Sequence, residues 1–301
     1  MTDNLIDSIL NTVICGDSWS TSKTLPSNFI QTIITSPPYF GHREYTATSK
    51  ISSDLEFGRE KDPHEYVTKL VTLFDELKRV LKYDGTVWLN LGDTYRNNQL
   101  LGIPWRVALA LQDAGWFLRS EIIWHKPNAM PSSVKNRPTT AHETIFLLAK
   151  SAQYYYNADA IREPHVTFTS KSKMRGGRNH LGKRGSTPEQ GKNKNNPNLH
   201  DGRWDQAFHP LGRNKRTVWE IPLGKFRQAH FAVFPPALVE ICILAGSKIG
   251  DVVLDPFMGS GTTAWVAKKL NRHFVGLELV PEYVEMTMRR VQSPVMLPMF
   301  E

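Results

Sequence analysis

The chain has 301 residues, 40% hydrophobic, 22% charged and 10% aromatic, with a formal net charge of +8 and a pI near 9.4. That length supports a sizeable core and one or two domains, and the composition is that of an ordinary globular protein with an excess of positive charge that suits a polyanionic partner. No apolar run approaches the roughly 20 residues of a membrane span, the first residues lack the basic and apolar stretches of a signal peptide, and two cysteines, Cys15 and Cys242, imply no disulfide framework and fit a reducing cytoplasm.

Apolar runs at 12–15 and 32–35 read as strands, and the second leads into Thr35-Ser36-Pro37-Pro38-Tyr39. Two successive prolines cannot continue a strand ladder, so the chain must leave the sheet rigidly at its carboxyl edge, where open α/β sheets bind ligands. A polar acceptor, Ser36 Oγ with the carbonyl of Pro37, is thereby fixed beside the aromatic face of Tyr39. Such a pair suits a planar base, although alone it reads equally as a proline-stiffened loop with a packed tyrosine. A helix is predicted from Pro63 to Leu81. Asp62 caps it, Pro63 suits the first turn and Glu65 completes a capping box. Tyr66, Leu70, Leu73, Phe74, Leu77, Val80 and Leu81 form its apolar face, and Asp84-Gly85 ends it. Strands at 86–91, 117–124 and 144–149 follow, with a helix over 104–114 that Gly115 stops.

Between His165 and Arg216 the composition shifts. Twelve cations stand against Glu189, Asp201 and Asp205, a net +9, so the remainder of the chain sums to −1. The cations include Lys171, Lys173, Arg175, Arg178, Lys183, Arg184, Arg213, Lys215 and Arg216. Rich in Gly and Asn and without apolar periodicity, this stretch reads either as a solvated insertion or as a phosphate-contacting region.

Past it come a helix at 236–245, a strand at 252–255, helices at 262–270 and 281–291, and between them a strand at 273–278. The first of these strands runs into Asp255-Pro256-Phe257-Met258-Gly259-Ser260-Gly261-Thr262-Thr263-Ala264. Gly259, Gly261 and Ala264 fit the G-x-G-x-x-G/A spacing, which brings main-chain amides close to a ligand at a helix N-terminus. Glu278 ends the next strand, where an acid is placed to hold two ribose hydroxyls. By itself the loop fits a nicotinamide enzyme equally well, or a plain tight turn. Strands alternating with helices predict an α/β, Rossmann-like fold: a seven-stranded, mostly parallel sheet with helices on both faces. Joining the last helix to the first strand gives an order that begins at Val252. In that order the glycine loop, Glu278, Asp17 and the Ser36 loop follow successive strands along one sheet edge.

The pair Thr-Ser-Pro-Pro-Tyr early and Asp-Pro-Phe-Met-Gly-Ser-Gly-Thr-Thr late resembles the beta-class amino methyltransferases of DNA, in which the catalytic motif precedes the cofactor motif. Trp124-His125-Lys126-Pro127-Asn128 with His142-Glu143 is similar to the segment before that family's recognition region. His230-Phe231-Ala232-Val233-Phe234-Pro235 is similar to its cofactor-flanking motif. The resemblance implies a circularly permuted motif order. Residues 1–164 would form the catalytic half of the methyltransferase domain, 165–216 a target recognition region contacting duplex DNA, and 217–301 the cofactor half. It implies S-adenosylmethionine as cofactor, held by Asp17, Phe231, Asp255, Pro256, Phe257, Gly259, Ser260, Gly261, Thr262, Thr263 and Glu278, with Asp17 receiving the adenine amino group. Ser36, Pro37, Pro38 and Tyr39 would be catalytic. A serine ahead of Pro-Pro-Tyr goes with cytosine N4 in this family, and an Asp or Asn there with adenine N6. A cognate restriction endonuclease is the expected second partner, and the chain a monomer or homodimer.

Methylation at carbon 5 of cytosine needs a thiolate, and both cysteines read as core. No clustered Cys/His set suggests a metal. Direct attack by an amino nitrogen remains. Ser36 Oγ and the Pro37 carbonyl would accept its hydrogens, while the Tyr39 ring, more than its hydroxyl, would hold the extruded base. An oxidoreductase would use the glycine loop and Glu278 but leave the Ser36 loop and the basic segment idle. A DNA-binding module would need neither the loop nor Glu278. An RNA or protein methyltransferase is a further alternative.

Overall fold

A computed structural model describes residues 2–42, 55–165, 209–224 and 235–292. The chain divides into two compact units, one of residues 1–157 with 216–301 and one of residues 158–215.

In the larger unit, strands β1 (Thr12–Cys15), β2 (Ile30–Thr35), β3 (Leu81–Leu91), β6 (Phe117–His125), β7 (His142–Ala149), β8 (Val218–Glu220), β9 (Val252–Asp255) and β10 (His273–Glu278) form one sheet. Its order is β1-β10-β9-β2-β3-β7-β6-β8. A small hairpin of β4 (Tyr95–Arg96) and β5 (Gln99–Leu100) stands apart. Every pairing in the large sheet is parallel except those of β7 with β3 and β6. Counted from β9, the first seven positions read 3-2-1-4-5-7-6, so the order reverses between β9 and β2. That reversal is the switch point at which an open α/β sheet leaves a ligand crevice.

The central strands β2, β9 and β10 and most of β3 and β7 are buried on both faces, as a sheet covered by helices requires. Helices α3 (Pro63–Val80) and α4 (Ile103–Asp113) pack one face through Tyr66, Leu70, Phe74, Leu77, Val107 and Leu111, against Val87, Leu89, Phe146 and Leu148. Helices α5 (Pro236–Gly246), α6 (Thr262–Lys269) and α7 (Pro281–Gln292) belong to the other face, α5 lying on β2 and β3 and α6 on β9 and β10. Short helices α1 (Thr2–Ile9) and α2 (Ser18–Ser22) flank β1. Asp62 caps α3 as the sequence suggests, whereas Glu65 reaches one residue beyond the cap. Asp62 accepts hydrogen bonds from the amides of His64 and Glu65, and Glu65 reaches back to the amide of Lys61.

The structure adds α1, α2 and the β4–β5 hairpin to the sequence reading and departs from it in three further places. Leu81 opens β3 and does not end α3, and Asp84-Gly85 lies within that strand, because the β2–β3 register jumps between Ile30 and Thr32 to absorb the extra residues. The eighth strand, β8, has no counterpart in the sequence pattern: only Trp219 of its three residues is buried, too short a run to read. Cys15, expected in the core, is exposed at the end of edge strand β1, whereas Cys242 is buried. Among the described residues no helix is long and apolar enough to cross a membrane.

Candidate active site

The carboxyl ends of β9, β10, β1 and β2 open onto one cavity of about 270 Å³. Beyond β9 the chain turns through Pro256–Gly261 into α6. Gly259 and Gly261 adopt φ of +54° and +79°, conformations that cost an L side chain strain. Gly261 also lies against α7, where a Cβ would come within 2.6 Å of Thr287 Oγ1. Glu278, 8% exposed, ties this loop to β10: its Oε2 accepts from the Gly259 amide at 2.7 Å and its Oε1 from the Val280 amide at 2.9 Å. Burial raises its carboxyl above the ordinary glutamate value against these hydrogen bonds. Asp17 caps α2 through the amide of Ser20 and faces the same cavity, as do Pro256, Phe257, Ser260 and Thr262. The Oγ of Ser260 and Oγ1 of Thr262 are buried without a partner.

Three residues expected to hold a cofactor, Asp255, Gly261 and Thr263, stand behind this wall. Asp255 is 1% exposed, and its oxygens are occupied by Thr35 Oγ1 at 2.8 Å, Thr263 Oγ1 at 2.7 Å and the Phe257 amide at 3.0 Å. It pins the end of β2 to the loop after β9, joining the two sides of the switch point. Burial pushes its pKa up to about 7 despite those three donors.

On the other side, Ser36 to Tyr39 leave the end of β2 and line the cavity. The Pro38 carbonyl accepts from the Tyr66 hydroxyl at 2.9 Å, which fastens the turn to α3. Gly92 backs the Tyr39 ring so closely that a Cβ would meet it at 2.5 Å. The Tyr39 hydroxyl is no idle tip. It donates to Glu143 Oε2 at 2.6 Å, accepts from Asn90 Nδ2 at 2.7 Å and accepts from Ser36 Oγ at 3.1 Å. Asn90 also donates to Glu143 Oε2 at 2.8 Å, and Lys126 pairs with Glu143 Oε1. Burial, then the Glu143 carboxylate, hold the phenol well above its ordinary pKa, so it stays protonated and donates.

Asn90, Lys126 and Glu143 line the cavity, and the sequence alone assigns them no role, although Lys126 and Glu143 lie in the family-like segments. A lone asparagine in the apolar run Thr86–Leu91 is the available signal for Asn90. Glu56, Phe57, Tyr283 and Met286 also line the cavity, and Phe57 meets Phe257 edge-on with ring centroids 5.1 Å apart. Phe231 and Lys171, Lys173, Arg175, Arg178, Lys183 and Arg184 lie outside the described residues. Within the smaller unit Arg213 and Lys215 pair with Glu163 at 3.2 and 3.8 Å, while Arg216, in the larger unit, is exposed. Among the described residues no group of acidic, histidine and cysteine side chains could hold a metal ion.

Residues 30–289 match the DNA methylase family N6_N4_Mtase. The Type II methyltransferase M.Cfr9I of Citrobacter freundii is 39% identical over 94% of this chain and 88% of its own length. M.SmaI of Serratia marcescens, another Type II methyltransferase, is 37% identical over 93% and 90%. Among solved structures, the cytosine-N4-specific PvuII DNA methyltransferase superposes with a TM-score of 0.66, at 21% identity, over 94% of this chain and 87% of that one. A putative DNA modification methylase of Thermus thermophilus, solved as a complex with S-adenosylmethionine, gives 0.58 at 24% identity over 93% and 92%. The fold is that of these proteins, and the chain belongs to the N6/N4 family of DNA methylases, alongside Type II methyltransferases.

Proposed function

We propose that this DNA methylase transfers a methyl group from S-adenosylmethionine to the N4 amino group of a cytosine turned out of duplex DNA. One observation carries the reading: the Ser36–Tyr39 turn and the glycine loop with Glu278 face a single cavity at the sheet's switch point. The wall fits the cofactor. Ser260 Oγ and Thr262 Oγ1 are buried there without partners, and Glu278 and Asp17 supply acceptors for hydroxyl and amino groups. When bound, S-adenosylmethionine supplies a sulfonium methyl group open to nucleophilic attack.

The chain's own residues then act on the base. Its exocyclic nitrogen is conjugated with the ring and weakly nucleophilic until it becomes more tetrahedral. Ser36 Oγ and the Pro37 carbonyl accept its two hydrogens, localising the lone pair and countering the positive charge that develops. The Tyr39 ring, backed by Gly92, receives the base by stacking, which offsets part of the cost of extruding it, roughly a few kcal/mol. Duplex DNA is the partner, approached through the basic segment 165–216, and a cognate endonuclease would share the recognition sequence. Nucleoside mass spectrometry of DNA from a host expressing the protein tests the choice of base. N4-methylcytosine is expected, and N6-methyladenine in its place would overturn the cytosine reading.

A further inference from the structure

The hydroxyls at the catalytic turn form a directed chain. Tyr39 has one hydroxyl hydrogen and two lone pairs. The hydrogen goes to Glu143 Oε2 at 2.6 Å, and the lone pairs are taken by Asn90 Nδ2 at 2.7 Å and Ser36 Oγ at 3.1 Å. Ser36 therefore spends its own hydrogen on Tyr39. What it retains for the cavity is acceptor capacity, with Asn90 Nδ2 no nearer than 3.4 Å. The direction is set at the far end, where the Glu143 carboxylate, which only accepts, is ringed by donors from Tyr39, Asn90 and Lys126.

We propose that Glu143 is a positioning residue that fixes the direction of the Ser36 hydroxyl, and so selects a target base bearing an amino group over one bearing a carbonyl at the same ring position. This rests on the functional reading that the reacting amino group meets Ser36. A hydroxyl held as an acceptor welcomes an N–H and repels a carbonyl oxygen. A hydroxyl free to turn would tolerate both. Lys126 makes the role specific to the carboxylate: in Glu143→Gln the ammonium, which has no lone pair, claims the amide oxygen. The NH₂ group then faces Tyr39 as a donor. The phenol hydrogen turns toward Ser36, and the Ser36 hydrogen toward the cavity. The shape of the site is kept and its polarity at Ser36 is reversed.

The test uses wild-type protein and E143Q, both shown to be folded by unchanged S-adenosylmethionine affinity, on duplexes containing the sequence that wild type methylates. The target base is supplied either intact or as its keto analogue, uracil for cytosine or hypoxanthine for adenine. Any easier extrusion of the analogue is common to both proteins, so the quantity read is the amino-over-keto preference in duplex affinity, wild type against variant. E143Q should lose about tenfold of that preference and at least about tenfold in single-turnover methylation, the scale of one hydrogen bond made or opposed. A slower E143Q that keeps the full wild-type preference would overturn the proposal, because a merely structural defect slows transfer without changing which base is favoured. Should E143Q fail to fold, Tyr39→Phe breaks the chain one link earlier and leaves the Lys126–Glu143 pair intact. It must lose the preference in the same way, and retention there overturns the proposal too. DNA carrying no methyl group on any amino nitrogen after wild-type treatment would defeat both this inference and the functional reading, and is told apart because it appears without any substitution.

Discussion

On the cofactor side of the cavity the wall is shaped by the course of the main chain, from which polar side chains face the cavity. Residues within one stretch of sequence, Asp255 to Thr263, turn through two left-handed glycines, and Glu278 holds the loop through amides of Gly259 and Val280. On the base side the wall is made by side chains brought from far apart. Tyr39 meets Glu143 across 104 residues of sequence and Asn90 across 51. The first construction is most sensitive to backbone changes at its two glycines. The second is most sensitive to side-chain chemistry, because its polarity rests on which atom carries each hydrogen.

The same difference explains what could be read in advance. The glycine loop, the proline-stiffened turn and the acid at the end of β10 are local patterns with a backbone reason, and the chain order alone brings them to one sheet edge. The cap at Asp62 and the apolar face of α3 are legible for the same cause. The joint role of Asn90 and Glu143 is not, because a polar residue in an apolar run or a family-like segment carries no local sign of which distant side chain it will meet. Asp255 shows the converse. The motif singles it out, but motif membership does not say whether its oxygens face the ligand or, as here, the hydroxyls of Thr35 and Thr263 behind it. The ring of Tyr39 is legible because stacking needs only a face, whereas the work of its hydroxyl emerges only once β3 is seen beside β2 and β7 beside β3.

Removing the acceptor on the base side should have the largest effect. Ser36→Ala is expected to lower single-turnover methylation by about 10²–10³-fold, the scale of losing one preorganised group that stabilises developing charge. Cofactor affinity should stay nearly constant and duplex affinity should fall by no more than about tenfold, the scale of one ground-state hydrogen bond, since the contact strengthens in the transition state. Equal losses in rate and DNA affinity would recast Ser36 as a binding residue and erase the contrast between the walls.

A smaller effect is expected on the cofactor side. Glu278→Ala removes the acceptor that holds the Gly259 amide and, in the proposed site, the ribose hydroxyls. S-adenosylmethionine binding measured by calorimetry should weaken by about 1–3 kcal/mol, the cost of leaving such groups unpaired. The saturated methylation rate should fall much less than in Ser36→Ala. Unchanged affinity in a folded variant would take Glu278 out of the site and leave it as a loop anchor only.

The smallest expected effect concerns the residue that joins the two walls, and it is read as stability against pH. Asp255 is buried, and its carboxyl titrates at about 7 in the folded protein against an ordinary value of 3.8. A raised folded pKa means that the folded state binds a proton more tightly than the unfolded one. Stability from this group is therefore fully present below about pH 4 and is lost as pH rises toward and through 7. Between about pH 5.5 and 7 the loss should amount to roughly 1–2 kcal/mol, set by the proton that only the folded chain still holds. Asp255→Asn keeps an acceptor for Thr35 and the Phe257 amide and cannot ionise, so it should remove this slope. Urea unfolding at both pH values should show wild type losing stability relative to the variant as pH rises. A difference between the two proteins that stays constant with pH would mean that Asp255 carries its charge in the folded state throughout. The three donors around it would then outweigh burial, and the pin between the walls would be an ionic one.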